Sequence, residues 1–385
     1  MTDLPNNHFV DDAPYDPNED IRTLDRPDLD APSWLLIWRK FRRHKLGLWS
    51  GVFLLVAYLS LPFVGFLVPY TPNERNADHL YAGPQMVRLF HEGSFIGPYV
   101  YPITAQADLE NFRWNYIQDR ENPAKLQYFC KGDDYNFLGL FRAETHLFCA
   151  PEGATVFLWG ADRLGRDIFS RIFYGAQLSL TVGLIGITVS FLLGISIGGI
   201  AGYFGGRTDW CVQRVIEILR SLPELPLWLA LSAAVPSHWG PVAVFFIISI
   251  ILGLLDWPGL ARAVRSKFLA LREEEFVRAA EMMGAKPDRV IRKHMLPNFA
   301  SHLIASAMLS IPAMILGETA LSFLGLGLRA PAVSWGVMLN DAQNLASIEI
   351  YPWTAIPMLP VIIVVLAFNF LGDGLRDSLD PYSDN

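Results

Sequence analysis

Four stretches of the chain, 46–68, 172–206, 298–317 and 352–372, contain no Asp, Glu, Lys or Arg. A bilayer crossing by a helix needs about 20 apolar residues, so each stretch predicts a membrane-spanning helix. The region 210–260 is less uniform. Arg214, Glu217, Arg220 and Glu224 fall three or four apart and share one helical face. That pattern predicts a helix that begins in water and enters the membrane near Leu225. Pro236 to Pro241 then makes a turn, and 242–255 continues as a separate span, running past Asp256 and Pro258. Parity supports the split. Residues 262–293 carry nine Lys/Arg, and basic loops stay on the cytoplasmic side. Two spans across 210–260 put that loop there; one span would not. The expectation is an all-α polytopic membrane protein with six transmembrane helices and both termini cytoplasmic.

The flanking segments fit this plan. Trp34 to Trp38, followed by Arg39, Lys40, Arg42, Arg43 and Lys45, suits a short helix lying at the membrane surface. These basic residues hold the start of the first span inside. With the first span they form a unit at 34–68. Residues 69–157 are mixed in polarity and rich in Gly, Pro and aromatics, which predicts a small soluble insert on the far side. Residues 158–381 form the remaining five-helix core. Gly194, Gly198 and Gly202 make a stripe that lets helices approach closely in lipid.

Composition sharpens the picture. Hydrophobic residues are 52% of the chain and charged residues only 18%, against about 25% charged in soluble domains. The net charge of −7 looks wrong for a protein with basic cytoplasmic loops. However, residues 1–33 hold nine acidic and two basic residues, and the rest of the chain balances at 29 of each sign. The tail reads as a disordered acidic cytoplasmic appendage. It has no basic lead into an apolar core, so it does not read as a signal peptide. The acidic pI near 5.6 also argues against nucleic acid as the main partner.

Two cysteines, Cys130 and Cys149, lie in the insert. In an oxidising compartment they can pair, closing a loop worth about 3 kcal/mol in the chain-entropy model; two free thiols are the alternative. No G-x-x-x-x-G-K-[ST] run occurs, so nothing here cradles nucleotide phosphates. No metal-ligand spacing and no nucleophile–base pair stands out either. The chain reads as not an enzyme, with no cofactor of its own.

The most informative stretch is 276–298. Read physically, it is a helix–turn–helix, with Gly284 as a C-terminal stop and Pro287 in the first turn of the second helix. Pro297 marks where that helix gives way to the next span. Small residues on the first helix leave a shallow face that another protein can cover. By physics alone, an ordinary connecting loop is an equal alternative. Glu318 has two readings: a residue of a translocation path or gate together with Ser322, or a cap on local backbone. Asp256 is expected to pair with Arg262 or Arg265, and His302 to be a hydrogen-bonded bundle residue. Arg163, Arg166 and Asp167 are expected to form an ion-paired elbow.

Ala279, Ala280, Gly284, His294, Leu296 and Pro297 resemble the EAA loop of ABC-transporter permeases. Arg278 stands where that motif usually has Glu, and His294 where it has Ile; the dipeptide/oligopeptide subfamily often has His there. Three further segments are similar to the same subfamily, the family of dipeptide, oligopeptide and nickel importers. They run from Gly160 to Gly175, from Glu318 through Gly327 to Gly336, and from Asn369 to Pro381. The resemblance covers about 34–68 and 158–381 and leaves the insert unmatched.

The resemblance implies the type I ABC importer permease fold, in a bacterial inner membrane. It implies a second homologous permease subunit, two cytoplasmic ATPase subunits that bind ATP and Mg, and a periplasmic substrate-binding protein. It gives Arg278, Ala279, Ala280, Gly284, His294 and Pro297 the role of coupling the ATPases to transport. Peptides are the implied cargo, with oligosaccharides or metal chelates as alternatives. An ion-driven secondary transporter is the rival of another class; it would want ionisable residues within its spans and an inverted repeat, and neither stands out here.

Overall fold

The computed structural model describes residues 33–379, apart from 109–112, 138–140, 152 and 237. The acidic tail, Asp380 and Pro381 lie outside the described residues.

A basic amphipathic helix α1 (Ser33–Arg43) leads into α2 (Lys45–Ser60). The His44 ring caps α2 by accepting from Gly47 N at 3.0 Å. A 3-10 turn at Leu61–Phe63, set by Pro62, and the short α3 (Val64–Leu67) complete the first apolar rod. Four more helical rods are long and apolar enough to cross a membrane. They are α4 (Ile168–Phe204), α7 (Pro241–Leu271), the run from α9 (Pro287–Val290) through α10 (Leu296–Phe323), and the C-terminal rod ending in α13 (Met358–Leu379). Between them lie α5 (Gly206–Ser221), α6 (Glu224–Ala233), α8 (Glu275–Met282), α11 (Trp335–Asp341) and α12 (Leu345–Ile350).

Tight packing centres on α4 and α7. The glycine stripe faces α7, and a Cβ on Gly198 would fall 2.4 Å from the Ala261 carbonyl oxygen. A second core joins α2, α4, α10 and α13 through Leu54, Leu180, Ile315 and Phe368. The outward faces stay apolar: Trp49, Leu55, Val56 and Leu59 on α2 are exposed, as expected for surface that meets lipid tails.

The 210–260 region contains a discontinuity. Helix α5 folds back along α4 and buries Ile216 against Trp257 and Ala261. Leu222 and Pro223 are extended, and proline disfavours helix in the residue before it. Helix α6 then has only 10 residues, about 15 Å at 1.5 Å per residue, half a bilayer. Among the described residues there are therefore five long apolar helices and one short one, where the sequence predicted six spans.

The insert is built from strands, so the all-α expectation holds only outside it. Strands β1 (Arg88–His91), β2 (Ser94–Val100) and β5 (Ala124–Lys125) form one antiparallel sheet. Strands β3 (Ile103–Asp108) and β4 (Arg113–Gln118) form a second. Strands β6 (Gln127–Phe137) and β7 (Phe141–Cys149) form a third, crossed by a Cys130–Cys149 disulfide. Small apolar clusters, Val100 with Ala124 and Val156, and Ala82 with Ile103 and Phe157, hold these pieces together.

The predicted pairing of Asp256 with Arg262 or Arg265 is corrected. Asp256 receives the Ser190 hydroxyl at 2.9 Å, while Arg265 pairs with Asp209 on α5. The backward fold of α5 places Asp209 beside α7, which spacing along the chain does not reveal. His302 stacks on Phe299 with ring centroids 4.7 Å apart.

Candidate functional site

The helical hairpin at 273–298 is the first candidate site. Val277 and Ala280 on α8 are buried with Leu260, Val264, Phe268 and Leu271 of α7, and with Val290, Met295 and Phe299 beyond the turn. Ala280 is thus a packing residue, whereas Ala279 is half-buried. Helix α8 ends in a Schellman motif: Ala285 N donates to Ala280 O at 3.1 Å and Gly284 N to Glu281 O at 2.9 Å. Gly284 has φ +81°, and a Cβ there would meet nothing within 4 Å. The turn needs glycine for its backbone conformation, not for space.

The second arm enters the span through a π-helical turn at Ile291–Met295, where Leu296 N bonds Ile291 O, five residues back. Pro297 explains it. Its nitrogen has no hydrogen to give to the carbonyl four residues earlier, and its ring crowds that carbonyl; a widened turn absorbs both effects. His294 lies in this turn, half-buried, and its carbonyl accepts from Asn298 Nδ2 at 2.7 Å. The hairpin is also tied to the end of α4. Tyr203 Oη donates to Glu281 Oε1 at 2.7 Å, and Arg272 Nη1 donates to Tyr203 O at 3.3 Å. Arg278 is exposed and paired with Glu273.

Sequence reasoning missed the exposed apolar residues of this hairpin. Met282 and Met283 are 83% and 81% exposed beside Gly284, and Phe276 is 41% exposed. Two flexible thioethers at a turn make an adaptable contact surface. The signal was present as a Met-Met pair immediately before the stop glycine.

The second candidate is a buried polar knot at the other end of α10. Glu318 is fully buried. Its Oε1 accepts the hydroxyls of Ser322 and Ser334, both at 2.7 Å, and its Oε2 that of Ser179 at 3.3 Å. Each serine then accepts a backbone N–H: Leu328 on Ser322, Val337 on Ser334 and Trp335 on Ser179. The carboxylate therefore ties α4, α10 and the start of α11 into one unit. Gly336 permits this approach, since a Cβ there would lie 2.7 Å from the Thr319 carbonyl oxygen.

A third cluster sits beside the knot. Asp162 pairs with Arg166 at 2.7 Å and with Arg171, and Asp341 with Arg166 at 2.7 Å, Arg163 at 3.1 Å and Arg171 at 3.3 Å. Burial opposes ionisation of Asp341, but Arg171, Arg166 and Arg163 outweigh it and hold its carboxyl below the usual range. The elbow expected from Arg163, Arg166 and Asp167 thus exists with other acids. Asp167 instead caps α4, accepting from Ser170 N at 2.8 Å and Ser170 Oγ at 2.6 Å.

Together, the described residues form a bundle of long apolar helices, a helical hairpin bearing an exposed Met pair and a buried polar knot. The family described as the inner membrane component of binding-protein-dependent transport systems matches residues 194–383, and the N-terminal TM domain of oligopeptide transport permease C matches 33–84. A dipeptide transport system permease protein of Bacillus subtilis is 42% identical over 58% of this chain and 68% of its own length. That of Alkalihalophilus pseudofirmus is 42% identical over 62% and 77%. An oligopeptide transport system permease protein of Haemophilus influenzae is 40% identical over 60% and 72%. The chain belongs to this family of inner membrane permease components. Among solved structures, inward-facing MetNI methionine ABC transporter aligns at 18% identity over 55% of this chain and 98% of that one, with a TM-score of 0.44.

Proposed function

We propose that the chain is the permease subunit of a peptide importer driven by partner ATPases. The names of its dipeptide and oligopeptide permease relatives support peptide as the cargo. In this reading the chain works with a second, homologous permease subunit, two cytoplasmic ATPase subunits that bind ATP and Mg, and a periplasmic binding protein. It performs no catalysis itself. In this reading α6 and the chain on either side of it together make a sixth crossing, with both termini cytoplasmic and residues 69–157 outside. Residues 34–68 are then the anchor and 158–381 the core.

The observation that carries the coupling role is the hairpin's construction. Val277, Ala280, Val290 and Met295 fasten it to α7 and α10, while Met282 and Met283 stay free to dock. A push on the hairpin therefore moves two spans at once. Arg278, Ala279, Ala280, Gly284, His294 and Pro297 shape and present that lever. At the outer end, the Glu318 knot with Ser322 holds the loop before α11 against α4, as the closed element of a gate would.

Reconstitution tests this reading. The full transporter in proteoliposomes should take up peptide only with ATP and the binding protein present. Uptake that survives inactive ATPases and collapses with a protonophore would favour an ion-driven carrier. A binding protein that retains oligosaccharides or metal chelates but no peptide would change the cargo alone.

A further inference from the structure

The β6–β7 hairpin descends beside the outer end of the first apolar rod. At its base, His146 Nδ1 lies 2.6 Å from the Val68 carbonyl. Nearer the tip, a Cβ on Gly65 would run into the Tyr135 ring. Nearer still, Phe137 meets Phe63 edge-on, with centroids 5.5 Å apart. The hairpin partners thus step back along the rod from Val68 to Phe63, towards the bilayer.

The height of that contact follows from the rod's neighbours. Tyr70 N is level with Ser170, Gln177 Nε2 donates to Leu61 O at 2.7 Å, and Tyr58 Oη donates to Leu180 O. Arg171 is the last charge of α4 before the long apolar run. Phe63 therefore sits just inside the level where charge ends. Trp159, Phe169 and Phe173 of the α4 entry cluster at that level too, as aromatic belts do at a membrane interface.

Aromatic side chains are uncovered at both ends of the described hairpin, Phe141 beside the turn and Phe129 near the base. Phe141 is 58% exposed and stacks on Phe137 at 5.1 Å, and Phe129 is 70% exposed against Phe66. Phe63 is itself exposed and continues the apolar outer face of α2 at Leu59, Val56 and Leu55. The patch is therefore an extension of the surface that meets lipid. A strand edge cannot enter the hydrocarbon with open backbone groups, so interface depth is where this hairpin fits.

We infer that the β6–β7 hairpin is a bilayer contact: Phe129, Phe137 and Phe141 seat it among the outer-leaflet headgroups and acyl-chain ends beside the first span. The inference rests on the proposed placement of the insert outside the membrane. The hairpin would then fix the height and tilt of the insert above the outer surface.

Spin labelling of the whole assembled transporter tests it, in phosphatidylethanolamine/phosphatidylglycerol nanodiscs. The background is Cys211→Ser with the native disulfide intact, which non-reducing electrophoresis verifies for each variant. A nitroxide at Phe141→Cys should be relaxed by oxygen and shielded from a water-soluble nickel chelate. A label at Val56→Cys on the first span should show the stronger form of that pattern, and one at Phe95→Cys on β2 the reverse. If Phe141 follows Phe95, the hairpin is in water and the inference is wrong. If it is shielded from both relaxants, a protein subunit covers it, and the inference is equally wrong. If Val56 itself fails to show lipid exposure, the proposed membrane topology fails first.

Discussion

Asp167 is a helix cap that has been removed from water. Burial pushes its carboxyl up to about 7, against the bonds from Ser170 that favour its charge. Its Oδ1 has no hydrogen-bond partner. A carboxyl with a raised native pKa holds its proton more tightly folded than unfolded. Its contribution to stability is full below about pH 4, the unfolded value, and is lost as pH rises through about 7. Melting temperature of the purified transporter should therefore carry a falling component across that window. Asp167→Asn keeps a capping oxygen and should flatten it; an unchanged slope would show that Asp167 does not titrate there. Gly284 makes the second residue-scale prediction. Valine at φ +81° costs about 1–3 kcal/mol of backbone strain, whereas asparagine tolerates the left-handed region. Gly284→Val should uncouple ATP hydrolysis from uptake, and Gly284→Asn should retain most coupling. Equal behaviour of the two in a parallel ATPase and uptake assay would remove the conformational explanation. Individual motif residues were legible in the sequence, but their partners were not. Asp256 lies six residues from Arg262 and nine from Arg265, yet bonds Ser190, because α4 and α7 pack face to face.

At the scale of elements, apolar run length located the long spans, since the bilayer fixes that length. It could not show the break at Leu222-Pro223, where polar α5 folds back on α4 before the short α6. Nor did it show strands in the insert, whose aromatics serve three small sheets in place of one core. The Cys130–Cys149 bond joins β6 to β7. Peptide mapping without reductant should recover the linked pair, and two free thiols would contradict it. Removing the bond should cost about 3 kcal/mol and speed proteolysis within 127–149 while leaving the spans protected. The cluster of Asp162 and Asp341 with three arginines fixes the loop before α4 to α11. Asp162→Ala leaves Arg166 and Arg171 buried with half their partners, a loss of about 3–5 kcal/mol. A thermal shift near zero for that variant would mean the cluster is solvated.

For the whole molecule, charge is unevenly distributed along the chain. The acidic tail carries the net −7, and the body keeps nine Lys/Arg in 262–293, around the hairpin. The hairpin and the Glu318 knot stand at opposite ends of one continuous helical run from Pro287 to Phe323. In the proposed reading, this run carries a displacement from the hairpin at one end to the polar knot at the other. The most direct test of that arrangement uses the exposed Met pair, which supports no core. In the reconstituted transporter, Met282→Asp with Met283→Asp should leave insertion and melting temperature unchanged, loosen ATPase binding and abolish peptide uptake. Wild-type uptake and ATPase retention by the same variant would contradict the coupling role of the hairpin.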